Sequence, residues 1–188
     1  VKIVQDDKGG VWIPSLNLNT IGNLLPGSGY QMYSDSSVSF SFRYPAIPAF
    51  LAKNQPKRIH KQPVHFMVET TGLPYVVAIG SLNLGKTKPA EGDEIAVYDG
   101  GVCVGATVWQ TDVQNHVIAW GGDEEAGLPG FKAGNKISFK LFSKETDSEH
   151  ELIPAFGSKS EEVFMGSAFS SVKLSSESAL IPDRFLLY

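Results

Sequence analysis

Three kinds of side chain in this sequence can do chemistry: carboxylates in a row, aromatic rings set among strand-like stretches, and scattered histidines with a single cysteine. Residues 121–130, GGDEEAGLPG, place Asp123, Glu124 and Glu125 side by side. A hard cation such as calcium takes several carboxylate and carbonyl oxygens from a flexible loop, so these residues are the candidate metal ligands. The spacing is not that of an EF-hand, and a solvated hairpin loop has the same composition. Asp93, Glu94 and Asp99 bracket a strand, and Asp99-Gly100-Gly101 suits the positive φ of a tight hairpin turn. Trp12, Tyr30, Tyr33, Trp109 and Trp120 are the candidate carbohydrate-binding residues. An exposed aromatic ring stacks on the apolar face of a pyranose, although Trp is usually largely buried and each of the five fits a core as well.

Catalysis finds little support. His60, His65, His116 and His150 lack the His-x3-His spacing of a helical zinc site and have no neighbouring cysteine. Cys103 alternates with apolar neighbours and reads as a sheet residue, not a reactive thiolate. There is no G-x-S-x-G elbow. Gly27-Ser28-Gly29 is followed by no lysine, so it is not a phosphate loop. Glu161 and Glu162, like Asp6 and Asp7, are adjacent, and adjacent strand residues point to opposite faces and cannot flank one bond. The expectation is a protein that is not an enzyme and has no cofactor, calcium excepted.

The elements that must position these residues are strands. Val38, Phe40, Phe42 and Tyr44 alternate with Ser39, Ser41 and Arg43; Ile137, Phe139 and Leu141 alternate with Lys136, Ser138 and Lys140. Val102, Val104, Ala106 and Val108 share a period-two face, as do Val64, Phe66 and Val68. Further strands are predicted at 1–4, 11–13, 30–33, 75–79, 95–98, 116–120 and 169–174. No apolar stripe at helical spacing exceeds two turns. Turn clusters of Gly, Asp, Asn and Pro separate the strands, and short strands at regular spacing argue for antiparallel sandwiches over βαβ units. With 42% hydrophobic and 11% aromatic residues the chain can bury a core. A net charge of −4 gives no electrostatic footprint for nucleic acid. No apolar run approaches the length of a membrane-spanning helix, and one cysteine cannot form an intrachain disulfide.

Residues 45–63 are rich in proline and basic residues and contain no acid, which marks a linker or packed crossover. The predicted organisation is a small β module at 1–44, this Pro-rich segment at 45–63, a β-sandwich module at 64–178 and a terminal segment at 179–188. The fold class is thus all-β, with two antiparallel β-sandwich-like modules. Residues 1–44 supply only about four short strands, thin for an independent domain, so the first module is expected to be incomplete or to lean on a neighbour.

Three stretches carry a resemblance. VKIVQDDKGGVWIPSLNLNTIGNLLPGSGYQMY is similar to a small β module of secreted multidomain proteins of Bacteroidetes and related phyla, on Val4, Asp7, Gly9 or Gly10, Trp12, Pro14, Ile21, Gly22, Gly27, Gly29, Tyr30, Gln31 and Tyr33. That module usually begins with an upstream strand that is missing here. GDEIAVYDGGVCVGATVW, with the stretch from IAWGGDEEAGLPG onward, resembles a module that often follows it. IPDRFLLY resembles the opening of the segment that introduces the type IX secretion sorting region, on Ile181, Pro182, Phe185 and Leu187. The resemblance implies export, an extracellular or cell-surface location, and a processing boundary near Tyr188. The expected function is structural: a subunit of a surface filament or an adhesive stalk, whose partners are other copies of itself or other cell-surface proteins through β-strand pairing. The alternatives are a carbohydrate-binding module of a larger secreted enzyme, with a glycan as partner, and calcium-stabilised adhesion through Asp123, Glu124 and Glu125.

Overall fold

The computed structural model describes residues 1–6, 9–25, 27–37, 39, 41, 61–71, 73–158 and 160–176. The chain divides into two compact units, Val1–His60 and Lys61–Tyr188. Val38, Phe40, Phe42, Arg43 and Tyr44 of the alternating run, most of the Pro-rich segment and the whole of 179–188 lie outside the described residues.

In the first unit β1 (Ile3–Asp6), β2 (Val11–Ile13), β3 (Leu18–Asn19) and β4 (Tyr30–Tyr33) form an antiparallel sheet in the order β3-β2-β1-β4. The turn between β1 and β2 is set by Asp6, whose carboxylate accepts the Gly10 N–H, and by Gly9 at φ +79. One turn of 3-10 helix, Pro14–Leu16, follows β2. Proline suits a helix start because its fixed φ is already helical, and Asn17 ends the turn in the left-handed region that asparagine tolerates. Ile3, Val11, Ile13 and Leu18 share one face of the sheet by register and are buried.

The second unit is a sheet of β5 (Pro74–Asn83), β6 (Glu94–Asp99), β7 (Val102–Val108), β8 (Asn115–Trp120), β9 (Ile137–Ser143), β10 (Ser148–Phe156) and β11 (Ser170–Ser175). Its order is β7-β6-β9-β10-β11-β5-β8. All pairs are antiparallel except β5–β11, which is parallel and departs from the uniformly antiparallel expectation. The sheet curls until its outer strands meet. Gly105 of β7 lies so close to β8 that a Cβ there would fall 2.9 Å from Ala119 Cα and closer still to the Ile118 carbonyl oxygen. Only glycine admits that approach. Inside, Ile95, Val97, Val117, Phe139, Leu141 and Val172 form one core. Phe131 and Phe164 stack at 4.5 Å, with Tyr75 edge-on to both.

Three elements differ from expectation. Residues 64–68 form no strand; they belong to a strap with bends at 64–66. The face predicted for β7 breaks at Val102, which is 48% exposed, because the pairing shifts register opposite Val97 and Tyr98. β10 gave no strand signal: its first half is polar and it contains Pro154. The proline is tolerated because β10 pairs with β9 over residues 148–152 and with β11 over 153–156. Pro154 therefore sits where one neighbour has already left.

Candidate functional site

The strap is held by a carboxylate. Glu94, at the start of β6, is only 5% exposed. Its Oε1 accepts the N–H groups of Val64 (2.7 Å) and His65 (3.1 Å), and its Oε2 those of His65 and Phe66 (both 3.0 Å). Three successive N–H groups converging on one anion cannot serve a strand ladder, which is why the alternating residues 64, 66 and 68 do not make one. Phe66 is thereby buried against the Tyr98 ring at 6.3 Å.

Register puts the surrounding side chains on the same outer face. Glu94 pairs with Phe142, Phe142 with Glu149, and Tyr98 with Cys103. His65 stacks flat on Phe142 at 3.7 Å, and its Nε2 meets Glu149 Oε1 at 2.8 Å. Lys140 donates to the other oxygen of Glu149 at 3.1 Å and lies 5.3 Å from the centre of the Tyr98 ring. The His65 hydrogen bond, then that of Lys140, holds the Glu149 carboxyl below the usual carboxylate value; the same contact with Glu149 raises Lys140. Burial raises both Tyr98 and Cys103. A thiol pushed up in this way is a poor nucleophile at neutral pH.

Beside this cluster lies an open cleft of about 580 Å3. Strap residues Lys61, Gln62, Val64 and His65 line one side; Gly92, Glu94, Val108, Phe142, Lys144 and Asp147 line the rest. Sequence reasoning missed it. Glu94 reads from the sequence as one of three carboxylates bracketing a strand, and Lys144 and Glu149 carry no motif.

Two of the three candidate calcium ligands have partners within the protein. Asp123 Oδ1 accepts the Ala126 N–H at 3.0 Å, and Glu124 pairs with Lys132, which holds its carboxyl below the ordinary value. Among the described residues no three His, Cys, Asp or Glu side chains gather as a metal site. The loop bearing Asp123, Glu124 and Glu125 is closed at its neck by Gly130, which packs on the backbone of Trp120, Gly121 and Gly122. The carboxylates around β6 are likewise used internally. Asp93 accepts from the Ala90 and Lys144 backbones, and Asp99 from the Lys132 backbone and the Asn135 side chain.

The five candidate aromatics form no single row. Trp120 is 8% exposed, and Trp109 packs half-buried on the core of the second unit. Burial of these two rings in or against the core leaves less aromatic surface for a sugar than the five together would give. In the first unit Trp12 is 41% and Tyr33 54% exposed. Register places Trp12, Val4 and Met32 on one face with Tyr30, and Tyr33 on the other.

Comparisons of the chain with protein-family models, with curated proteins and with solved structures find no match.

Proposed function

We propose that this chain is a non-catalytic structural protein of the cell exterior, exported by the type IX route, which joins copies of itself or other surface proteins through β-strand contacts. The observation that carries this reading is β4. Among the described residues it has β1 on one side and no hydrogen-bonded neighbour on the other. Its sequence, Tyr-Gln-Met-Tyr, contains no charge and no proline. Natural edge strands are blunted by lysine, proline, bulges or shortness; at the other edge β3 is only two residues long. An unguarded edge is a template for strand addition. In the second unit the outer strands β7 and β8 lie against one another, which covers those edges among the described residues.

The experiment is sedimentation velocity and electron microscopy of the purified chain across a concentration series, beside a Gln31→Lys/Tyr33→Lys variant. Both side chains are exposed, so the variant is expected to keep the circular dichroism of the parent. Assembly of the parent and loss of assembly in the variant support the reading. A parent that stays monomeric at every concentration overturns it. A carbohydrate-binding role keeps one specific support, the exposed Trp12 ring on the Tyr30 face; binding to a glycan array that Trp12→Ala abolishes would favour it.

A further inference from the structure

The cleft beneath the strap has an uneven supply of charge. Lys61 is taken by Glu91 at 3.1 Å. Glu94 is spent, since both of its oxygens accept strap N–H groups. Among the described residues the Lys144 ammonium has no ion pair or hydrogen bond. It is nonetheless placed: its stem lies over Gly92, where a Cβ would stand 3.4 Å from Lys144 Cδ and 3.9 Å from Nζ. Gly92 is at φ +99, a conformation that side chains rarely adopt, so the seat under the lysine is built into the backbone. Asp147 lines the same cleft as an acceptor, and Gln62 adds an amide. The wall is apolar, made by Val108 and by Phe142 with His65 stacked on it.

We propose that this cleft binds a uronic acid, with its carboxylate on Lys144, a hydroxyl donating to Asp147 and the apolar side of its ring against Val108 and the His65–Phe142 stack. The chemistry selects this class. A neutral sugar gives the lysine no anion, a simple fatty acid gives Asp147 no donor, and a polyphosphate needs several free cations where one is on offer. About 580 Å3 admits one or two sugar rings, and small-ligand sites are commonly an apolar cavity with a few placed polar groups. The site lies wholly in the second unit and stands whether or not copies join through β4.

The test is titration of the intact chain, followed by calorimetry and amide chemical shifts, with three probes: glucuronate, an oligogalacturonate and glucose. Binding of glucuronate and oligomer alike points to a free sugar acid or a chain end; binding of the oligomer alone points to an acidic polysaccharide. Either supports the proposal if Lys144→Gln weakens it about tenfold, as loss of a charge-assisted bond should, while Lys88→Gln, an exposed lysine outside the cleft, leaves it unchanged. An unaltered melting temperature of Lys144→Gln checks the fold. Binding of glucose as tight as glucuronate, affinity within twofold in Lys144→Gln, or no binding of either acid at millimolar concentration would overturn it.

Discussion

Replacing Glu94 by Gln tests whether one carboxylate holds the strap. The side chains have the same shape, but one acceptor oxygen becomes a donor. If nitrogen takes the place of Oε2, the Phe66 N–H has no acceptor and His65 loses one of its two contacts; in the flipped amide the orphan is Val64. An orphaned buried donor costs about 1–3 kcal/mol, and hydrogen bonds to a charged group are worth more than those to its neutral isostere. The sum is about 2–4 kcal/mol for the strap against the sheet. Detachment limits the loss, because a strap that has lifted off has nothing more to lose, and the burial of Phe66 contributes only about 1.5–3 kcal/mol. Two measurements follow from this. The denaturation midpoint of Glu94→Gln should fall, and amide exchange at residues 64–66 should quicken by about thirtyfold or more, the equivalent of about 2 kcal/mol. A stability change below about 0.5 kcal/mol, within the range of ordinary surface substitutions, together with unchanged exchange would refute the latch.

Gly105→Ala should destabilise the second unit by about 3 kcal/mol, the upper end of overpacking costs, because the added carbon meets strand backbone and not a movable side chain; a thermal melt within about 1 °C of the parent would contradict the closure of β7 on β8. The depressed carboxyl of Glu149 contributes stability that is complete above its ordinary value of 4.5 and lost as pH falls through its lowered folded value. Acid titration of Glu149→Gln should therefore show a shallower loss of stability in that window, with the difference shrinking in high salt; identical titrations would argue against the His65–Glu149–Lys140 arrangement. Calcium should leave the melting temperature unchanged, because Asp123 and Glu124 are already engaged; a rise on addition of calcium, reversed by chelator, would show a site bound only in the folded state.

The all-β class was legible because alternation survives wherever a strand has one buried face. Ile137, Phe139 and Leu141 of β9 are buried and their intervening residues are half-buried. The same rule misled at 64–68, since period two records side chains alone, and the Glu94 carboxylate claimed the backbone there. β10 was hidden by Pro154, whose tolerance depends on where two neighbouring strands begin and end, a matter of tertiary register. The acidity of the 121–130 loop is plain in the sequence, yet its partners, Lys132 and the Ala126 N–H, are set by the fold. The cleft is the least legible feature. Lys144, Asp147 and Gly92 come from separate turns and meet the strap only after β6, β9 and β10 have paired.

The place of β11 has a kinetic side. It is the last described strand, yet it lies between β10 and β5 and, among the described residues, makes the hydrogen-bonded link between the β7-β6-β9-β10 half of the sheet and the β5-β8 half. Its parallel contact with β5 joins Ser170 to Val77 across most of the unit's length. Such distant pairing is slow, because loop-closure entropy must be overcome before any contact rewards it. The hairpins β6–β7 and β9–β10 and the β5–β8 pair can form from residues made earlier, whereas β10 and β5 gain their shared neighbour only with residues 170–175. Completion of the sheet thus waits on the last of its described strands.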